Sequence, residues 1–356
     1  MKRIWVLLLP ILLGGLLIAG TTPEVVKFDS MPAQLTNNAV VELKHHGSTH
    51  IFSFMGIGPK KTWDAVSNAA YSLDTDTEKW TVVHPVPGTA GRIAAVAAAV
   101  RDHAVLFGGY VLDAHGGGIT VPDVNVYDAG GDRWLRGADI PRPVGDAAAG
   151  IYLNRYIYLI GGRSNSELLN TVQIYDAEKN RWLQGGTFPG TPVFGHAGAM
   201  LDDTIVYVDG AAKNAAAEKP TFVSVNECWI GKIDRKDLKV IHWSKLPNHP
   251  GTARYRIAAG ASEKDQKIYF SGGSENPYLF TGIGYDGNPA EPSAMTFAFN
   301  VKTNKWETVN GNTPNPSMDH HGLVVIPEGL VVAGGMEKGQ QVSARVSILP
   351  RTERTK

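Results

Sequence analysis

Arginines, histidines and a single aspartate recur at comparable distances ahead of a pair of small residues that the sequence repeats. Arg92 and Arg256 each stand sixteen positions before the first glycine of such a pair, Gly108 and Gly272. Aligning back from the other copies reaches, at similar but not equal distances, Asn37 or Asn38, Asp146, His196 and His320-His321, with Arg254 and Tyr255 beside Arg256. A second set follows the pairs: Tyr110, Arg163-Ser164-Asn165, Ser274-Glu275-Asn276 and Glu337. Guanidinium groups offer bidentate hydrogen bonds to a carboxylate or phosphate, so these arginines around one opening would make an anion-friendly pocket. Asn38, Asn165 and Asn276, Glu275 and the tyrosine add the adaptable polar and apolar contacts that a sugar requires. Asp146 is the one carboxylate of the first set, and a general base whose proton affinity is set by Arg256 or a histidine is its chemical use. His321 and Glu218 are the other proton carriers near such a site. The opposing reading is structural: arginines tie down loop carbonyls, histidines stay in the scaffold and the aspartate caps a turn.

Whether these side chains converge depends on the elements that carry them. A short apolar run ending in small residues recurs as Val105-Leu106-Phe107-Gly108-Gly109, Ile157 to Gly162, Ile205 to Gly210, Ile268 to Gly273 and Leu330 to Gly335, with Ile51 to Gly56 a weaker copy. Downstream, Asp or Asn precedes a tryptophan by six positions in four copies: Asp74 to Trp80, Asp128 to Trp134, Asp176 to Trp182 and Asn300 to Trp306. The fifth, Asp234 to Trp243, is looser. Fully apolar runs are strands covered on both faces, and the glycine pair lets the backbone turn with positive φ beside a neighbouring strand. A third strand, a tight turn such as Ala177 to Asn180 and a Trp-bearing fourth strand complete a unit of about 50 residues. Such antiparallel sheets, repeated radially, make a propeller. The Trp is expected to pack on the next unit.

At these residues the sequence resembles the kelch family, whose repeat is a hydrophobic strand, a double glycine, then a Tyr and a Trp at similar separations. The resemblance spans essentially all of residues 21–356 and implies an all-β, six-bladed β-propeller forming one domain. The last double glycine leaves room for only one more strand, so Val25 to Pro32 is expected to complete the sixth blade and close the ring, removing an exposed edge. Kelch propellers include protein-binding modules, sugar mutarotases and copper oxidases. In size, export and blade number the chain is most similar to exported bacterial N-acetylneuraminate epimerases. That similarity implies a sialic-acid-type sugar, one acid/base group and a cationic clamp. The family's fourth-blade glutamate after the glycine is replaced here by Ala211, and no arginine follows it. Cys228, the one cysteine, reads as a small buried hydrophobe, which speaks against a copper centre.

Gly282-Ile283-Gly284-Tyr285-Asp286-Gly287 fits the dinucleotide fingerprint, but Asn288-Pro289-Ala290-Glu291-Pro292 forbids the helix that must follow. It reads instead as a long loop over the mouth, with Pro277 to Phe280 a lid or wall. His45, His46 and His50 form a turn cluster at the opposite mouth. No zincin or serine-hydrolase motif occurs, and neither a metal nor a cofactor is expected. The balance of 34 basic and 34 acidic residues gives no field toward nucleic acid. Met1-Lys2-Arg3 and the apolar run to Gly20 read as a secretory signal, placing the protein in a periplasm or outside the cell. Leu17 or Ile18 at the −3 position leaves an uncleaved anchor as the alternative, and Thr21 excludes lipidation. No later stretch spans a bilayer. The expected ligand is small, anionic or sugar-like. The alternative is a non-catalytic module holding a protein or glycan.

Overall fold

In the computed structural model, which describes residues 28–45, 47–88, 90–216 and 219–351, six antiparallel sheets stand around one axis. The expected signal peptide, Glu218 and His46 lie outside the described residues. The innermost strands are Ala39–His45, Val96–Val100, Ala148–Tyr152, Ala197–Leu201, Ala258–Ser262 and Val324–Ile326. They touch in cyclic order, the last against the first. Ala and Gly dominate those of blades two to five, where strands meeting on an axis leave little side-chain volume. Each apolar run then forms the second strand, for example Tyr156–Ile160, with buried side chains on both faces. Blades one to five have four strands each. The sixth sheet has three strands among the described residues, and Val25 to Lys27 of the expected closing strand lie outside them. The described remainder of that segment runs beside the entry to the last strand, with backbone bonds from Met31 N–H to Ala344 O (2.7 Å) and from Leu35 N–H to Ser343 O (3.2 Å). Phe28, Met31 and Leu35 are buried there against Val324, Ile326 and Val331. Among the described residues no helix is long and apolar enough to cross a membrane.

The repeated residues have distinct jobs. Asp128 Oδ1 accepts the Gly130 and Gly131 N–H groups, and Asn300 Oδ1 accepts those of Lys302 and Thr303, so the Asp or Asn closes the turn before the Trp strand. The Trp joins its blade to the preceding one, not the next. Trp134 meets Phe54 edge-on at 5.4 Å, and its Nε1–H donates to His84 O at 2.8 Å. Trp182 does the same with Phe107 and Ala138 O, and Trp80 reaches back to Asp29 O. The glycine pair is required because the next blade enters across it. A Cβ on Gly108 would stand 2.0 Å from Val144 O, and one on Gly272 2.2 Å from Ser317 O.

Candidate functional site

One residue per blade reaches the axis just before the innermost strand. Its predecessor pairs with the residue after the small pair: Thr36 with Ile57, Ile93 with Tyr110, Gly145 with Arg163, Phe194 with Ala211, Tyr255 with Ser274 and Met318 with Met336. The axial residues are therefore Asn37, Ala94, Asp146, Gly195, Arg256 and Asp319, and all six have positive φ. Their backbones run head to tail: Asp146 N–H to Ala94 O, Gly195 N–H to Asp146 O, Arg256 N–H to Gly195 O and Asn37 N–H to Asp319 O.

The side chains of this ring form a plug. Arg256 donates from Nε and Nη2 to the two oxygens of Asp146, both at 3.0 Å, and from Nη1 to Asp319 Oδ1 at 2.6 Å. Asp319 Oδ2 accepts from Thr36 Oγ1 and Asn37 Nδ2, each at 2.6 Å. Relative exposure is 5% for Arg256, 1% for Asp146 and 0% for Asp319. Burial alone would neutralise the Asp319 carboxyl, but the Arg256 charge and the Thr36 hydrogen bond outweigh it and hold it below its ordinary value. The guanidinium also lies over the Tyr255 and Tyr278 rings, 5.0 and 5.6 Å from their centroids. Arg256 is thus already engaged by two carboxylates and is not the open anion clamp expected from the sequence.

Several other expected site residues lie elsewhere. Arg92 is two positions before the axial Ala94; it is buried between blades one and two, donating to Asn125 Oδ1 at 2.7 Å, and burial depresses its pKa to about 10. Arg254 lies between blades four and five, over the Phe297 ring and against the Met295 carbonyl. His196 stacks on Tyr207 with its Nε2 3.0 Å from Ala148 N and 2.9 Å from Ile160 O. His320 Nε2 is 2.8 Å from Ser317 Oγ. Burial pushes both imidazoles down to about 4, so they are neutral scaffold groups. Asn38 is buried, donating to Ser53 Oγ and Ala333 O. His321 lines the alanine-walled channel below the plug, which His196 and His320 also border. Its Nε2 is 3.1 Å from Asn37 Oδ1 and 3.5 Å from Asp146 Oδ1, and burial lowers its pKa. Glu275 and Asn276 tie loops, to Thr252 and Asp286 respectively.

Above the plug is a cleft of about 210 Å³. Its floor is Asp146 and Arg256. Its walls are Ile93, Tyr110, Phe194 and the blade-five insertion with Tyr278, Phe280 and Tyr285, and the Gly116 to Gly118 hairpin forms a rim. The insertion lies over the mouth as expected, without a helix. Arg163 and Asn165 also face the cleft. The Arg163 guanidinium lies 5.4 Å from the Phe194 centroid and 5.6 Å from that of Phe222, while its backbone oxygen accepts from Tyr110 Oη. Arg163 has no carboxylate partner among the described residues. The charge available to an anion here is therefore Arg163, while Asp146 is the carboxylate that borders the same space.

The family model described as the KLHDC2/KLHL20/DRC7 Kelch-repeats domain matches residues 27–211. No curated protein matches the sequence. The solved structure titled "Structure of YjhT" superposes with a TM-score of 0.72 over 92% of this chain and 98% of that one, at 15% identity, a likeness of fold.

Proposed function

This chain belongs to the kelch-repeat family, and from that premise we propose that its mouth cleft binds a small acidic sugar through Arg163. The observation that carries the reading is a guanidinium packed against an edge-to-face pair of phenylalanine rings, Phe194 and Phe222, facing a concave site and lacking a carboxylate partner among the described residues. Arg163 Nε donates to Asn165 O and the side chain also meets the Tyr285 hydroxyl, so a ligand carboxylate would be taken by the Nη donors in place of that hydroxyl. The aromatic walls would take the apolar face of a sugar ring, and Asn165 its hydroxyl groups. Mutarotation is the reaction this arrangement best accommodates, because it asks only for a proton carrier beside a held sugar. Asp146 is the carrier: each of its oxygens accepts one Arg256 hydrogen bond and keeps a lone pair. The likeness to the YjhT structure, at 15% identity, supports the reading at the level of fold alone. An exported location belongs with the same proposal.

The test is proton NMR of the chain from Thr21 onward with N-acetylneuraminate and with neutral N-acetylglucosamine, reading saturation transfer and anomer exchange. Transfer is expected to the acidic sugar, and Arg163→Met should weaken it by about 10- to 100-fold, the loss of a hydrogen bond to a charged group. Asp146→Asn should remove accelerated exchange. Equal transfer to both sugars refutes the carboxylate anchor. The second reading, a protein- or glycan-binding module, is favoured by Ile119, Leu279 and Ile283, exposed on the same loops. Transfer to neither sugar would select it.

A further inference from the structure

We propose that Asp209, Cys228 and His249 form a divalent transition-metal site, of the zinc class, at the junction of blades four and five. Asp209 occupies the place of the first glycine of the repeated pair, Cys228 begins the third strand of blade four, and His249 lies on the connection into blade five. One ligand atom from each lies within 4.8 Å of the other two, and all three residues are buried. A carboxylate oxygen, an imidazole nitrogen and a thiolate are together the donor set that Zn²⁺ takes.

Two independent observations point to an ion rather than a closed polar knot. Asp209 is 1% exposed and its Oδ1 has no hydrogen-bond partner, whereas the large majority of buried polar side-chain atoms have one and an exception calls for an explanation such as an ion. The second concerns His249, whose Nδ1 is 2.8 Å from Pro250 O and whose Nε2 is 2.8 Å from Asp209 Oδ2. A ring N–H given to a backbone carbonyl is the usual orienting bond of a metal-ligating histidine, and it presents the other nitrogen to the ion. The ring is further fixed by stacking on Phe297, 4.1 Å between centroids at 10°. Without an ion, one proton must lie between Nε2 and Oδ2 and another on the thiol. Binding exchanges these two protons for one M²⁺, so the buried site takes the ion with no change in net charge. The Arg254 N–H, 2.9 Å from Asp209 Oδ2, holds the carboxylate in place.

The experiment uses the full chain, expressed in zinc-supplemented medium for elemental analysis and refolded with Co²⁺ for absorption spectroscopy. One ion per chain is expected, with a thiolate-to-cobalt charge-transfer band in the near ultraviolet. Cys228→Ala should abolish the band while the far-ultraviolet circular dichroism stays native. His249→Gln should weaken binding by more than about 100-fold, beyond what loss of an orienting partner alone costs. If Cys228→Ala does not fold, the band in the unmutated chain decides. Folded protein with substoichiometric metal and no charge-transfer band overturns the proposal, as does a band that survives Cys228→Ala.

Discussion

Acid should loosen this propeller through His196 and His320 before it reaches most carboxylates. Both imidazoles are buried in blade junctions, and burial brings their folded pKa to about 4 from an ordinary 6.5. A histidine held neutral in the fold binds its proton more readily when unfolded, so its contribution is complete above 6.5 and is lost as pH falls toward 4. At about pH 5 the unfolded imidazole is almost wholly protonated and the folded one scarcely so, which gives about 2 kcal/mol per histidine and about 4 kcal/mol for the pair. That is a large share of the 5–15 kcal/mol typical of a folded domain. Denaturant unfolding at about pH 7.5 and 5 measures the loss. The double variant His196→Gln/His320→Gln places an amide where each Nε2 now sits and cannot titrate. It should remove most of the loss over this window, leaving the share of His321, the third imidazole that burial holds low. A variant that keeps the full acid loss, or an unmutated chain equally stable at both pH values, would refute the assignment of these histidines to the scaffold.

Replacing Arg256 with Met strands the Asp146 and Asp319 carboxylates at 1% and 0% exposure. It should cost about 3–5 kcal/mol; a denaturation midpoint close to the parent's would mean that the plug is not ion-paired in solution. Trp182→Ala removes the bond to Ala138 O and the edge contact with Phe107. A loss of about 3 kcal/mol is expected, at the low end for tryptophan because the ring is only partly buried, and calorimetry showing a negligible change would contradict the Trp-to-preceding-blade clamp.

The fold was legible because its signals are local and repeat. The six-position spacing from Asp or Asn to Trp is a turn closed by its own side chain followed by a paired strand, and Asp128 with Trp134 shows both halves. The candidate site was less legible because its register passes through a hairpin of variable length. Between the first two strands blade two has only Arg101 and Asp102, whereas blade five has Glu263 to Gln266. The equal distance of Arg92 and Arg256 from their glycines therefore conceals a two-residue offset, and Ala94 is the true counterpart of Arg256. Asp319 is masked by its neighbours His320 and His321, although it precedes Gly334 by the same fifteen positions that separate Asp146 from Gly161. Arg163 and Asn165 were found because they follow the glycines directly, with no hairpin intervening.

The axial ring explains why the mouth is closed on one side and open on the other. Six identical backbone positions differ only in their side chains. In ring order Arg256 is separated from Asp146 by Gly195, and the missing side chain is what lets the guanidinium cross to its partner. A Cβ there would stand 2.1 Å from a Tyr255 ring carbon, at a φ of +61°. On the other flank Asn37 turns toward Asp319, away from Ala94. The polar side chains are thus drawn to blades five, six and one, while blades two to four present only a methyl group, a glycine and the outer edge of Asp146. The cleft opens over that depleted arc, where Ile93, Tyr110, Arg163 and Phe194 lie one step out from the ring. The plug that engages Arg256 therefore also leaves Arg163 facing the open arc, which is where the proposed ligand is placed, with Asp146 shared between the closed half and the open one.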